Sequence, residues 1–137
     1  MPAQHSRTDR TRARTRPRLP GLRTPAGAPL PLYLAGFSFG AYVTTRLAKR
    51  LAAAGDPARW LVLVGTAASR FTVAPVPSQV HAKTLVIHGE SDDTVPLANV
   101  LDWARPQFLP VTVVPGVGHF FHGQLPLLKS LVVRHLS

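Results

Sequence analysis

Leu34-Ala35-Gly36-Phe37-Ser38-Phe39-Gly40-Ala41-Tyr42 joins two stretches of different rhythm. Leu30 to Ala35 form an apolar run, and the residues that follow the motif carry a helical pattern. A serine on a sharp strand-to-helix turn must adopt a strained backbone conformation. Small residues two positions to either side let the flanking chain pack without clashing, which accounts for glycine at both 36 and 40. At ordinary residue frequencies a bare Gly-x-Ser-x-Gly arises by chance in ~4% of chains this long. Its weight comes from its surroundings.

Two further segments supply that weight. Val86-Ile87-His88-Gly89-Glu90-Ser91-Asp92-Asp93-Thr94-Val95-Pro96 places two adjacent aspartates in the loop after an apolar strand. Val113-Val114-Pro115-Gly116-Val117-Gly118-His119-Phe120 places a histidine in the loop after another. Loops at the C-terminal ends of parallel strands are where open α/β sheets build their sites. Serine, carboxylate and histidine are the types that an activated hydroxyl nucleophile requires. Asp92 and Asp93 both qualify as the acid, since neighbouring side chains diverge and only one can reach a given partner. Glu90 reads as a loop-bracing carboxylate, His88 as structural, and His122 as facing or capping the final helix. Phe37, Phe39 and Phe120 either line the floor of the site or pack into the core. Tyr42 and Trp103 read as core or amphipathic surface residues.

Between these motifs the chain alternates regularly. Strands are expected over Leu32 to Ala35, Trp60 to Val64, Thr84 to His88 and Val111 to Val114. Helices are expected from about Phe39 to Ala54, Leu97 to Ala104 and Leu125 to Leu136, with Pro126 tolerated in a first turn and Pro106 ending the second. On the first helix, Val43, Leu47 and Leu51 form an apolar stripe opposite Arg46, Lys49 and Arg50, and Gly55-Asp56-Pro57 stops it. Residues 66–82, with Pro75 and Pro77, read as a loop or short irregular element. The order β-α-β-(α)-β-α-β-α defines an α/β domain of about four mostly parallel strands joined by right-handed crossovers.

Composition narrows the function classes. The 137 residues make at most one domain, with 45% hydrophobic content and no cysteine, so no thiol nucleophile, disulfide or Cys-based metal site is available. No apolar run approaches the ~18–20 residues of a membrane span, and a cytoplasmic location without membrane association is expected. His119-x-x-His122 lacks a third nearby ligand, so neither a metal nor another cofactor is expected. The net charge of +10 is concentrated at the front, where Arg7, Arg10, Arg12, Arg14, Arg16, Arg18 and Arg23 face only Asp9. Residues 1–29 show no hydrophobic period and read as a disordered basic segment, distinct from the 30–137 domain. They lack the apolar stretch of a signal peptide. Their Arg, Pro, Thr and Ala all have GC-rich codons, which also fits a misread start or shifted frame. A nucleic-acid-binding tail is the least supported alternative, because no aromatic residues interleave the arginines.

Gly-Phe-Ser-Phe-Gly, His-Gly-Glu-x-Asp-Asp-x-Val-Pro and Pro-Gly-x-Gly-His-Phe together resemble the α/β-hydrolase superfamily, nearest its small dienelactone-hydrolase-like bacterial branch. The likeness covers about residues 30–137, and Ser-Asp-His is the triad order of that superfamily. The resemblance implies Ser38 as nucleophile, Asp92 as acid and His119 as base. It also implies the Phe39 N–H as one oxyanion donor, Phe37 and Phe120 in substrate binding, and a small ester-like substrate. It further implies that the strand before Ser38 is the fifth of eight, so that earlier strands and the second oxyanion donor belong upstream of Leu30. The chain therefore reads as the C-terminal part of a serine hydrolase, or as an impaired relative that keeps the triad residues. Substrate identity and oligomeric state are left open.

Overall fold

The computed structural model describes residues 30–137; the basic segment 1–29 lies outside the described residues. Four strands form one parallel sheet in the order β1-β2-β3-β4, with β1 Tyr33–Phe37, β2 Trp60–Val64, β3 Thr84–Gly89 and β4 Thr112–Val114. The helices are α1 Phe39–Ala53, α2 Leu97–Ala104 and α3 Leu125–Leu136. Residues 66–82 hold no strand, and a 3₁₀ segment, Ser78–Lys83, begins within them.

The continuous apolar runs become strands buried on both faces, as parallel strands require. Leu61, Leu63 and Val86 point to one face, where Ala41 and Ala48 of α1 and Val100 and Ala104 of α2 cover them. Val62, Val64 and Ile87 point to the other, where they meet Val114, Phe121 and Leu128, Leu131 and Val132 of α3. Both faces of β2 and β3 are therefore sealed. β1 differs: its register pairs Tyr33, Ala35 and Phe37 with Trp60, Val62 and Val64 on the α3 face, yet all three stay exposed. Tyr33 is 51% exposed and Phe37 42%.

The expected stripe on α1 is corrected. Val43 is 46% exposed, and the buried positions are Ala41, Thr44, Thr45, Ala48 and Leu51. The cause is the short gap between helix and sheet. The Thr44 hydroxyl donates to the Gly40 carbonyl at 2.7 Å and lies 3.4 Å from the Ala35 carbonyl of β1, so only small side chains fit that face. Only Leu51 of the three stripe residues reaches the core.

Boundaries moved little. β1 begins at Tyr33 and runs on to Phe37, and β4 begins at Thr112, one residue after Val111. Pro106 does not end α2 outright, because Arg105–Gln107 continues as a 3₁₀ turn that spares the missing N–H. The stop after α1 is a Schellman motif. Gly55 sits at φ +78°, its N–H donates to Ala52 O, and the Asp56 N–H donates to Leu51 O, both at 3.0 Å.

Candidate active site

β1 ends at Phe37 and α1 begins at Phe39, so Ser38 alone makes the turn. Its backbone has φ 56° and ψ −115°, a left-handed φ that side chains rarely accept. The turn is held by the Ser38 N–H, which donates to Val64 O at 2.8 Å. Gly36 is required here: a Cβ would clash with the Gly40 carbonyl of the returning helix and with the Thr44 hydroxyl. The expectation for Gly40 is corrected, since a Cβ there meets nothing within 4 Å. The close approach is one-sided, made by the strand's glycine to the helix backbone.

His119 follows β4 by way of the Gly116 turn and is 4% exposed. Its Nε2 lies 3.0 Å from Ser38 Oγ, and its Nδ1 lies 2.6 Å from Asp92 Oδ2. The carboxylate can only accept, so Nδ1 carries the proton and the Ser38 hydroxyl donates to Nε2. Asp92 Oδ1 in turn accepts from the N–H groups of Val95 at 2.7 Å and Thr94 at 3.0 Å, an Asx-type turn that fixes the carboxylate. Asp92 is 5% exposed, whereas the neighbouring Asp93 points to solvent. The structure thus brings Ser38, His119 and Asp92 together across sequence separations of 81 and 27 residues, and leaves Asp93 and His122 outside.

The sequence carries no sign of Gly65 in this arrangement, and it marks His88 only as structural. Gly65, at φ +56° just beyond β2, lies under the His119 ring; a Cβ there would come within 3.1 Å of Cε1 and 3.2 Å of the Phe37 ring. His88, on β3, is fully buried with Nε2 only 3.3 Å from Asp92 Oδ2. The His88-x-x-x-Asp92 spacing held that information, but a histidine at a strand end has many structural uses. Glu90 braces the loop as expected, accepting from the Gly116 N–H at 2.8 Å. His122 does not cap α3, whose N-cap is Gln124.

Around this centre the surface is aromatic. Phe37 and Phe120 flank the His119 ring at 4.9 and 5.0 Å between centroids. Beside them a cavity of about 230 Å³ is lined by Phe37, Val64, Phe120, Phe121, Leu125 and Leu128, with almost no polar wall. Phe39, 55% exposed, joins a second cluster in which Phe71 stacks on Tyr42 at 4.7 Å. Phe37, Phe39 and Phe120 are therefore surface residues rather than core. The Phe39 N–H, first of α1, has no acceptor four residues back and is free to donate. Among the described residues, no group of His, Asp or Glu is arranged to hold a metal ion, and no helix is long and apolar enough to cross a membrane.

The thioesterase-domain model matches residues 22–96, more than half of the chain, including the serine turn and the Asp92 loop. The chain belongs to the thioesterase-domain family. Solved structures agree on the α/β serine-hydrolase fold. A lidless α/β serine hydrolase from Xanthomonas campestris is 34% identical with TM-score 0.62 over 77% of this chain and 46% of its own. An α/β serine hydrolase homologue from Coxiella burnetii is 31% identical with TM-score 0.59 over 82% of this chain and 51% of its own. A protein of unknown function from Agrobacterium tumefaciens, 23% identical with TM-score 0.65, shares the fold. No curated protein matches the chain at a significant level. This thioesterase-family chain thus spans about half the length of the solved structures it matches.

Proposed function

We propose that residues 30–137 form the triad-bearing half of a serine hydrolase that cleaves a carboxylic ester or thioester. The reading rests on one observation: the unbroken chain from Ser38 Oγ through His119 to Asp92, at 3.0 and 2.6 Å. Ser38 Oγ attacks the acyl carbon while its proton passes to His119 Nε2, and Asp92 holds the ring in the productive tautomer and stabilises the imidazolium. The oxyanion of the tetrahedral intermediate accepts from the Phe39 N–H at the start of α1. His119 then returns the proton to the leaving alkoxide or thiolate. A water, deprotonated by His119, releases the acid from Ser38. Phe37 and Phe120 supply an apolar wall for the acyl group. No cofactor enters these steps.

A second reading has its own support. Only one oxyanion donor is identified within residues 30–137, and the outer edge of β1 is unpaired there. Removing one such donor typically slows hydrolysis ~100–1000-fold. The strands and second donor of a complete sheet would have to come from outside these residues, leaving an impaired enzyme without them. A fluorophosphonate probe tests both readings. Labelling of Ser38, abolished in Ser38→Ala, supports the hydrolase. A folded chain that takes up no probe overturns it in favour of an inactive relative.

A further inference from the structure

We infer that His88 is a positioning residue for Asp92, holding the acid of the triad in line with His119. This inference rests on the hydrolase reading for its kinetic consequence, but its geometric content can be tested separately. His88 Nε2 lies 2.7 Å from the Val95 carbonyl, which can only accept, so the ring proton sits on Nε2. The same atom is 3.3 Å from Asp92 Oδ2, the oxygen that takes the His119 Nδ1 proton. Nδ1 of His88 has no partner among the described residues, which suits an unprotonated nitrogen.

His88 therefore acts on Asp92 along two routes. Its proton pins the Val95 carbonyl, and the N–H of that same residue donates to Asp92 Oδ1 at 2.7 Å. The turn that carries the carboxylate is clamped from both sides of Val95. In addition, Nε2 lies 3.3 Å from Asp92 Oδ2, a close electrostatic approach rather than a second hydrogen bond, because its one proton is given to Val95. Asp92 and His88 side chains are both fully buried, so water does not supply these contacts instead. Gly89, one residue on, keeps β3 close to the Val117 carbonyl of the His119 loop, since a Cβ there would clash with it. One short stretch, His88-Gly89, thus sets both the acid and the base loops.

The test uses the full chain with three substitutions. His88→Gln places an amide donor where Nε2 stood; His88→Asn places it near Nδ1, out of reach of Val95; His88→Phe fills the space without a donor. The His119 Nδ1 proton, in a short bond to a carboxylate, should give a low-field NMR resonance. That signal should survive in His88→Gln and be shifted or lost in folded His88→Phe and His88→Asn. Probe labelling should fall about 10–100-fold in the latter two, as expected when the bond from the Val95 N–H to the Asp92 carboxylate is weakened, and far less in His88→Gln. Unchanged resonance and labelling in folded His88→Phe overturn the role of His88. A wild-type resonance without labelling, still sensitive to His88, removes the hydrolase reading alone. A wild-type spectrum without the resonance overturns the role of His88, while labelling of Ser38 alone decides the hydrolase reading.

Discussion

Ser38 is held in a conformation that only its neighbours make tolerable, and the cost is distributed unequally between its two glycines. At Gly36 an added methyl meets backbone, which cannot rotate away, so Gly36→Ala should destabilise the chain by ~2–3 kcal/mol or more. At Gly40 it meets open space at the start of a helix, where alanine is the better helix former. Gly40→Ala should be neutral or stabilise by roughly 0.5 kcal/mol. Paired urea melts separate the two, and equal losses would show that α1 sits closer to its surroundings at Gly40 than described. The acids divide just as sharply. Asp92→Asn, with its amide free to turn towards His119 and favour the wrong tautomer, should cut probe labelling by ~1,000-fold or more. Asp93→Asn, at an exposed position, should leave labelling within about twofold. The reverse pattern would move the acid to Asp93.

At the scale of elements, α1 shows what patterning conveys and what it conceals. Trp60–Val64 and Leu125–Leu136 were legible to the residue because a run buried on both faces and an amphipathic stripe each leave a pattern of their own in the sequence. The Ser38, Asp92 and His119 loops were legible for a related reason: strand ends fix where loops converge. The burial of α1 was not, because hydrophobicity marks what prefers to leave water and says nothing of how much room the interface has. Where Thr44 hydrogen-bonds to the Gly40 carbonyl and approaches Ala35, small residues win and Val43 is turned outward. The contribution of His88 was hidden likewise, since it depends on Val95 and Asp92 folding back over β3. The helix makes a specific forecast. Ala48→Leu, at a fully buried site, should cost ~1–3 kcal/mol by overpacking, whereas Val43→Lys should change stability by no more than ~0.5 kcal/mol. Thermal denaturation of both decides it; a larger loss at Val43 would restore the Val43-Leu47-Leu51 stripe as the packed face.

For the whole molecule, both edges of the sheet are unpaired among the described residues: β4, only three residues long, at one side and β1 at the other. Parallel strands belong inside sheets with both faces covered, and β2 and β3 obey that rule. β1 has an interior strand's composition, Tyr-Leu-Ala-Gly-Phe, at an edge position, with Tyr33, Ala35 and Phe37 exposed and no charge, proline or bulge to protect it. The solved relatives are about twice as long as the matched region. An uncovered apolar edge of this kind is a template for pairing with another strand, whether from a longer chain or a second molecule. The 137-residue chain should therefore self-associate as its concentration rises. Ala35→Lys sets a charge on the exposed face of β1 without entering either core, and should lower the association measurably while the circular dichroism stays the same. Sedimentation velocity over a hundredfold concentration range reads the outcome. If the unmodified chain sediments as a monomer throughout, the β1 edge is not an adhesive surface. If it associates and Ala35→Lys does not weaken that association, the contact lies elsewhere, and the exposed face of α3 around Leu125 and Val133 becomes the surface to mutate.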